Sequence, residues 1–252
     1  MKFSIFRFPI QLMLLLLGLQ IFSTAQAGIV VGATRVIFRE SDQEATVRLS
    51  NEGEYPALVE VWMDNGDATV TPDKVTTPFT LTPPIFRVEP HRGQTLRMLY
   101  SREPLPQDRE SVFWLNVLEI PPAPKQIEGQ EKNMLQFAFR SRIKVFFRPK
   151  ALTASVVKAP EQLRWKFVAD NKSALCMLEA DNPTAFHITI NALELNVGGQ
   201  RIQGDTGMIA PFSQMRFSMK GLNSCKAGNS DLSFSIINDF GGTTAFHGAT
   251  HD

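Results

Sequence analysis

Residues 134–149 read MLQFAFRSRIKVFFRP, and apolar and polar side chains alternate along most of this segment. Successive side chains of a β-strand point to opposite faces, so a period of two predicts a strand with one apolar face. The odd-numbered residues that form this face are Leu135, Phe137, Phe139, Ser141, Ile143, Val145 and Phe147. At about 3.3 Å per residue, a strand over residues 135–147 would span about 40 Å, whereas ordinary strands have about 5 to 6 residues. We therefore expect one end of this strand to serve something other than the core of its own domain.

The even-numbered residues of the same segment form a second face that is mostly polar. Its basic members are Arg140, Arg142, Lys144 and Arg148. Only Met134, Ala138 and Phe146 interrupt its polar character. The predicted strand thus carries an apolar surface on one side and a positively charged surface on the other.

Short alternating runs recur along the rest of the chain, separated by Gly, Pro, Asn and Asp, whereas the 3.6-residue period of a helix is scarce. The runs are TRVIF, ATVRLS, ALVEVWM, QTLRMLY, SVFWLNVLEI, WKFVAD, HITINALELNV, MRFSMK and LSFSII. Strands at this spacing predict an all-β fold made of β-sandwiches, and the length suits two domains of roughly 110 residues each. Since Pro149 ends the long strand, we expect residues 28–149 to form the N-terminal domain and residues 150–252 the C-terminal domain.

The N-terminus has the features of a secretory signal peptide. Lys2 and Arg7 precede the apolar run LMLLLLGL, and residues 25–27 read AQA. A membrane anchor is the alternative, but the apolar run is shorter than the roughly 20 residues of a spanning helix, so we expect removal of residues 1–27 by cleavage before Gly28. The mature chain would then be exported without a membrane anchor.

The balance of charge gives no support to nucleic-acid binding. Of the 26 basic residues, two lie in the predicted signal peptide, which leaves 24 basic residues against 25 acidic ones. A nucleic-acid-binding surface usually gives a clear excess of basic residues.

The two cysteines, Cys176 and Cys225, are predicted to form a disulfide, because an even number of cysteines in an exported protein favours pairing. In the chain-entropy model, closing a loop of about 50 residues would stabilise the fold by about 4 kcal/mol. Two free thiols are the alternative.

The sequence does not indicate an enzyme. The histidines show no metal-ligand spacing, and we expect them on the surface or in loops; they are His91, His187, His247 and His251. A G-x-S-x-G motif is missing, and turns explain the two Gly-Gly pairs better than phosphate cradles. Trp62, Trp114 and Trp165 lie inside strand patterns and are interpreted as core residues, with a carbohydrate platform as the alternative. We predict no catalytic residue, no metal and no cofactor.

Six segments resemble the PapD-like family of periplasmic pilus and fimbrial assembly chaperones, in the family's order. They are TRVIF at 34–38, PPIFRVEP at 83–90, LPQDRESVFWLNVLEIPP at 105–122, RIKVFFRP at 142–149, NPTAFHITI at 182–190 and INDFGG at 237–242. The resemblance implies two immunoglobulin-like β-sandwich domains in a boomerang arrangement. It also implies a periplasmic protein that binds pilus subunits, prevents their premature polymerisation and delivers them to an outer-membrane usher.

The resemblance implies a use for the long strand. Pilus subunits of this family lack the last strand of their own immunoglobulin-like fold, and the chaperone lends a strand to fill the apolar groove, which is known as donor-strand complementation. Leu135, Phe137 and Phe139 occupy the positions that would enter the groove. The later apolar residues of the strand are expected in the core of the first domain; they are Ile143, Val145 and Phe147.

Two sets of charged residues are also implied by the resemblance. Arg35 and Lys144 correspond to an arginine and a lysine that hold the C-terminal carboxylate of the subunit. Glu110, Arg148 and Asp239 correspond to residues that fix the angle between the domains through salt bridges. The short connection between residues 122 and 135, without a flanking cysteine, resembles the short-loop class that serves adhesive rod-type pili and fimbriae.

A secreted structural subunit or adhesin built on immunoglobulin-like domains is the alternative from a different class. Such a subunit should carry an N-terminal extension of alternating apolar residues that complements its neighbour. Only residues 28–33 lie between the predicted signal peptide and the first matched segment. The sequence therefore favours the chaperone.

Overall fold

The structure of the protein, a computed structural model, describes residues 28–123, 135–169, 176–222, 225 and 230–251. The described residues form two groups of strands, each arranged as two sheets. This arrangement confirms the predicted all-β fold of two immunoglobulin-like sandwiches. The predicted signal peptide lies outside the described residues. No helix in the described part is long and apolar enough to cross a membrane.

The first group of strands extends from Ile29 to Arg148. In chain order the strands are β1 Ile29–Val31, β2 Arg35–Arg39, β3 Glu44–Asn51, β4 Ala57–Asp64, β5 Phe79–Thr82, β6 Ile85–Val88, β7 Gly93–Tyr100, β8 Ser111–Ile120 and β9 Phe139–Arg148. A short 3₁₀ helix spans Pro72–Lys74. One sheet has the order β1-β3-β7-β5, and the other has the order β2-β9-β8-β4-β6.

The first hydrophobic core lies between these two sheets. Val36 and Phe38 of β2 are buried in it together with Val145 and Phe147 of β9. The parallel register pairs Val36 with Val145 and Phe38 with Phe147, so these side chains share the inward face. The opposite face of β9, which carries the even-numbered residues, therefore points away from the core.

The second group of strands follows two short 3₁₀ helices, Val156–Lys158 and Pro160–Gln162. Its strands are β10 Arg164–Ala169, β11 Cys176–Asn182, β12 Ile188–Val197, β13 Gln200–Gln203, β14 Gly207–Ile209, β15 Ser213–Ser218, β16 Asp231–Ile237, β17 Thr243–Gly248 and β18 Thr250–His251. One sheet has the order β15-β11-β10-β18, and the other has the order β13-β12-β16-β17, with β14 paired to β12. Trp165, Phe217 and Phe234 lie in the core between these sheets.

The second sandwich is closed by a disulfide and by the C-terminal strands. Cys176 is bonded to Cys225 with the two Cα atoms 5.2 Å apart, a usual separation, which confirms the predicted pairing. β17 pairs with β16 in one sheet, and β18 pairs with β10 in the other. The C-terminal residues, for which the sequence indicated no function, thus join the two sheets of this domain.

Candidate functional site

β9 is shorter than the strand predicted over residues 135–147. It begins at Phe139, and residues 135–138 form no strand. The neighbouring strand explains the difference, because β8 ends at Ile120 and is followed by Pro121 and Pro122, which have no N–H group to extend a ladder. Among the described residues, those before β9 therefore have no ladder to join. Met134 lies outside the described residues.

One edge of the first half of β9 has no neighbouring strand in the described part of the chain. β8 pairs with β9 from Phe139 to Phe147, whereas β2 pairs with β9 only from Lys144 to Arg148. Residues 139–143 thus present an edge that β8 does not cover. Such an edge offers backbone N–H and C=O groups to a strand from another chain.

The apolar side chains at odd positions divide into an exposed set and a buried set. Leu135, Phe137 and Phe139 are 85%, 63% and 66% exposed, whereas Val145 and Phe147 are completely buried. Ile143, between the two sets, is partly buried against the first core. The exposed set lies at and before the uncovered edge, where it offers a large apolar surface to solvent.

Polar side chains of the even positions attach this segment to its own domain. Gln136 donates through Nε2 to the backbone oxygen of Pro121 at 2.8 Å. Arg140 donates to the oxygen of Ala68 at 2.7 Å and, through Nε, to Oδ1 of Asn116 at 2.9 Å. The even side of the segment is thereby attached to the domain while the apolar side remains free.

A fully buried carboxylate lies under this even face. Asp64 accepts hydrogen bonds from Arg142 Nη2 at 2.7 and 2.9 Å, from Asn116 Nδ2 at 2.7 Å and from the backbone N–H of Gly66 at 2.7 Å. Burial by itself would raise the pKa of the Asp64 carboxyl, but these hydrogen bonds outweigh it and the pKa is lowered. This role could not be predicted from the sequence, because Asp64 precedes Asn65 and Gly66 and has the pattern of a turn residue.

Trp114 corrects the interpretation of all three tryptophans as core residues, whereas Trp62 is buried as expected but lies outside the first core cluster. Trp165 does lie in the second core, but the other two rings lie on the outward face of the β9 sheet. The Arg140 guanidinium carbon is 4.7 Å from the centre of the Trp62 ring, and the Arg142 carbon is 4.6 Å from the centre of the Trp114 ring. Cross-strand pairing of Trp114 with residue 144 places its ring next to the even side chains of β9.

Arg35 and Lys144 lie side by side on the outward face. They are directly paired in the parallel register of β2 and β9. Arg35 donates through Nη1 to the backbone oxygen of Ile237 in the second domain at 2.8 Å, and its buried Nε has no hydrogen-bond partner in the described part. The Lys144 Nζ atom lies 5.4 Å from the centre of the Trp114 ring. The two cations thus meet where the domains approach each other.

Neither of these two cations forms an ion pair with a described carboxylate within 4.0 Å. Burial lowers the pKa of Lys144, and the charge of Arg35 lowers it further. Burial also lowers the pKa of Arg35, although the charges of Asp239 and Glu110 oppose this effect. Both groups are therefore partly desolvated cations whose charged forms would be stabilised by an additional anion.

Arg148 stands four residues after Lys144 and has two carboxylate partners. It contacts Glu110 at 2.7 Å in its own domain and Asp239 of the second domain at 2.8 Å. Burial would lower the pKa of Arg148, but the hydrogen bonds that Arg148 donates to Asp239 and the charges of both carboxylates raise it overall. The structure thus brings together the three residues for which the family resemblance implied an interdomain network.

His187 is a member of the same network. It lies in the loop between β11 and β12, within the expected surface or loop positions, but it does not lie on the surface. Its side chain is buried, its backbone N–H donates to Glu110 Oε2 at 2.9 Å, and its Nδ1 lies 3.4 Å from the same oxygen. The ring also packs against Phe146 with centroids 5.5 Å apart. Phe146, which interrupts the polar face of β9, is thus explained as a contact with the second domain.

The described residues contain no group of three or more His, Cys, Asp or Glu side chains that could hold a metal ion. The arrangement presents a free strand edge, exposed apolar side chains and a pair of cations. These features suit the binding of a polypeptide with an apolar surface and a carboxylate.

Both domains match models of one protein family. Residues 28–153 match the model described as "Pili and flagellar-assembly chaperone, PapD N-terminal domain", and residues 158–247 match "Pili assembly chaperone PapD, C-terminal domain". The chain belongs to the PapD-like family of pilus-assembly chaperones. Membership in this family supports the chaperone over the alternative of a structural subunit or adhesin.

Relatives of this chain share both domains. The probable fimbrial chaperone YadV of Escherichia coli (strain K12) is 42% identical over 221 residues, which are 87% of this chain and 89% of that protein. The crystal structure of the Pseudomonas aeruginosa CupB2 chaperone matches with a TM-score of 0.74 at 36% identity, over 88% of this chain and 100% of that chain. Salmonella enterica SafA pilin in complex with the SafB chaperone matches with a TM-score of 0.70 at 29% identity, over 87% and 95%.

Proposed function

We propose that this chain is a periplasmic chaperone that binds one pilus or fimbrial subunit, completes the subunit's fold with its own strand and delivers it to an outer-membrane usher. The observation that carries the proposal concerns the described part of the chain: β9 has an uncovered edge, exposed apolar residues lie before it, and two cations without described carboxylate partners lie at its end. The SafB chaperone, which has a similar structure, is found in complex with the SafA pilin.

In this proposal Leu135, Phe137 and Phe139 enter an apolar groove of the subunit. Fully burying one large apolar side chain contributes about 1.5 to 3 kcal/mol, so the three together supply several kcal/mol. Backbone hydrogen bonds along residues 139–143 fix the register of the added strand. Attachment of the even side through Gln136 and Arg140 reduces the entropy that the segment loses on binding.

Arg35 and Lys144 bind the C-terminal carboxylate of the subunit. Among the charged groups that meet here, three are cations and two are carboxylates; they are Arg35, Lys144, Arg148, Glu110 and Asp239. These groups carry one excess positive charge, which a single carboxylate would compensate. A guanidinium binds such a group through two donors, and an ammonium adds a flexible point charge.

The position of the two cations also sets the direction of the bound strand. Lys144 lies at the end of the uncovered edge at which β2 begins to pair. A subunit strand that lies along residues 139–143 and ends with its carboxylate at Lys144 must run in the same direction as β9. The proposal therefore predicts a parallel pairing between β9 and the last strand of the subunit.

The remaining parts of the chain support this role. Glu110, Arg148 and Asp239 hold the two domains in the geometry that forms the cation pair. Residues 1–27 direct export and are removed, and the domain boundary follows Pro149. Release of the subunit to the usher requires no nucleotide or other cofactor, because folding of the subunit and later strand exchange supply the driving force.

Co-purification of a cognate subunit with the tagged chaperone tests the proposal. Phe137→Asp should abolish or strongly reduce the subunit that is recovered, because it places a charge in the apolar groove. Val157→Asp is the matched control, since Val157 is an exposed apolar residue of the second domain. Equal recovery with Phe137→Asp and wild type would rule out a donor role for this segment.

A further inference from the structure

Phe240 is a large apolar side chain that the fold leaves almost completely in solvent. It is 98% exposed, more than any other large hydrophobic side chain in the described part. It lies in the hairpin loop between β16 and β17. An exposed aromatic residue on a mobile loop would mean little, so the structure of the loop decides its significance.

The loop that carries Phe240 is held by internal hydrogen bonds. Asn238 Oδ1 accepts from the backbone N–H groups of Phe240 at 3.1 Å and of Gly242 at 3.0 Å. The N–H of Asn238 donates to the oxygen of Gly242 at 2.9 Å, and the N–H of Gly241 donates to the oxygen of Asn238 at 3.0 Å. Gly241 has a φ of 81°, a conformation that favours glycine. Phe240 is therefore presented by an ordered backbone.

The same loop is attached to the first domain on both sides of Phe240. Before it, Ile237 accepts the hydrogen bond from Arg35, and Asp239 pairs with Arg148. After it, a side-chain carbon on Gly241 would lie only 2.2 Å from Thr34 Oγ1, so the loop backbone lies directly against the residue before β2. Phe240 thus stands on the part of the second domain that adjoins the proposed carboxylate anchor.

We propose that Phe240 binds an apolar side chain in the last residues of the subunit, next to the terminal carboxylate held by Arg35 and Lys144. The inference rests on the proposed function. The continuity of the loop with Arg35 and the excess positive charge of the anchor select this occupant, because a chain end held by Arg35 lies beside the loop whose Ile237 accepts the Arg35 hydrogen bond. Phe240 would favour subunits with an aromatic or large aliphatic residue near the C-terminus.

Binding of a synthetic peptide that reproduces the last strand of the co-purifying subunit tests this inference with the full-length mature chaperone. Phe240→Ala should weaken binding about tenfold, and Phe240→Tyr, which keeps the ring, should restore it. Val157→Ala, the matched exposed apolar residue in the same domain, should leave binding unchanged. Shortening the apolar side chain near the end of the peptide to alanine removes the proposed partner of Phe240. This change should therefore lower the affinity for wild type more than it lowers the affinity for Phe240→Ala.

Two outcomes would overturn the inference in different ways. If wild type binds the peptide, amidation of the terminal carboxylate weakens binding, and Phe240→Ala has no effect, then the anchor stands and the role of Phe240 is wrong. If wild type binds neither the peptide nor its amidated form, the proposed function and the role of Phe240 both fail.

Discussion

Lys144 and Arg148 occupy the same face of β9, four residues apart, in two different electrostatic environments. Arg148 has Glu110 and Asp239 within hydrogen-bond distance, and its pKa is raised. Lys144 has no carboxylate within 4.0 Å among the described residues, and burial together with Arg35 lowers its pKa. One strand thus carries a compensated cation beside an uncompensated one.

The difference indicates that Arg148 stabilises the fold, whereas Lys144 is available to bind an anionic ligand. Removing one partner of a buried ion pair leaves an uncompensated charge, which is strongly destabilising. A desolvated cation without a partner already carries that cost in the free protein, and an incoming anion relieves it. We therefore expect Arg148 to affect mainly stability and Lys144 to affect mainly binding.

The largest expected effect is the loss of stability in Arg148→Ala. The substitution leaves Glu110 buried without its cation and breaks the contact with Asp239, which should lower the free energy of unfolding by about 3 to 5 kcal/mol. Urea denaturation measures this quantity. Arg97→Ala is the control, because Arg97 forms an exposed, solvent-screened pair with Glu44 and its removal should change stability much less. A similar decrease in the free energy of unfolding of both variants would show that the interdomain network stabilises the fold no more than an exposed ion pair does.

The next largest expected effect is the loss of subunit binding when Lys144 is replaced. Lys144→Met should weaken subunit binding by about 2 to 5 kcal/mol, which is roughly 30-fold or more. It should leave the free energy of unfolding of the free chaperone unchanged or higher, because methionine removes a desolvated charge. Titration of the subunit peptide and urea denaturation of the same variant measure the two quantities.

Lys166→Met serves as the control for this variant, since Lys166 pairs with Glu179 in the second domain. It should not change binding of the peptide. The comparison between Lys144 and Arg148 breaks down if Lys144→Met destabilises the free protein as much as Arg148→Ala and binds the peptide normally.

The sequence predicted the strands better than the surroundings of their side chains. The period of two located β9 and its inward residues Val145 and Phe147. It did not show that the ladder would begin only at Phe139, because that depends on Pro121 at the end of β8. A strand pattern contains the alternation of faces, whereas the length of a ladder depends on a partner that is distant in sequence.

At the candidate site too, contacts between residues that are distant in sequence could not be predicted. The resemblance to a family pointed to Arg35 and Lys144, and the register of β2 and β9 places them together. Asp64 and His187 were missed, because their roles depend on contacts with Arg142 and Glu110 across strands or domains. Trp62 is buried outside the first core cluster because it lies under the Arg140 guanidinium, a contact between strands that the run ALVEVWM does not contain.

The smallest expected effect is a dependence of the affinity for the subunit peptide on alkaline pH. It should come from Lys144 and not from Arg148. The pKa of Lys144 in the free chaperone lies below the ordinary value of about 10.4, and a bound carboxylate would raise it. Affinity for the subunit peptide should therefore be constant below the free pKa and should fall as pH rises through it. The unfolded chain binds more protons in this window, so the contribution of Lys144 to the stability of the free chaperone changes in the opposite direction and rises with pH.

Lys144→Arg distinguishes this dependence from the titration of other groups, because a guanidinium stays protonated throughout the range. Peptide titrations at several alkaline pH values should show the decline in wild type and a much flatter profile in the variant. Arg148 remains charged in both proteins, so it contributes no slope. A decline of equal size in wild type and Lys144→Arg would assign the pH dependence to another group and contradict direct contact between Lys144 and the carboxylate.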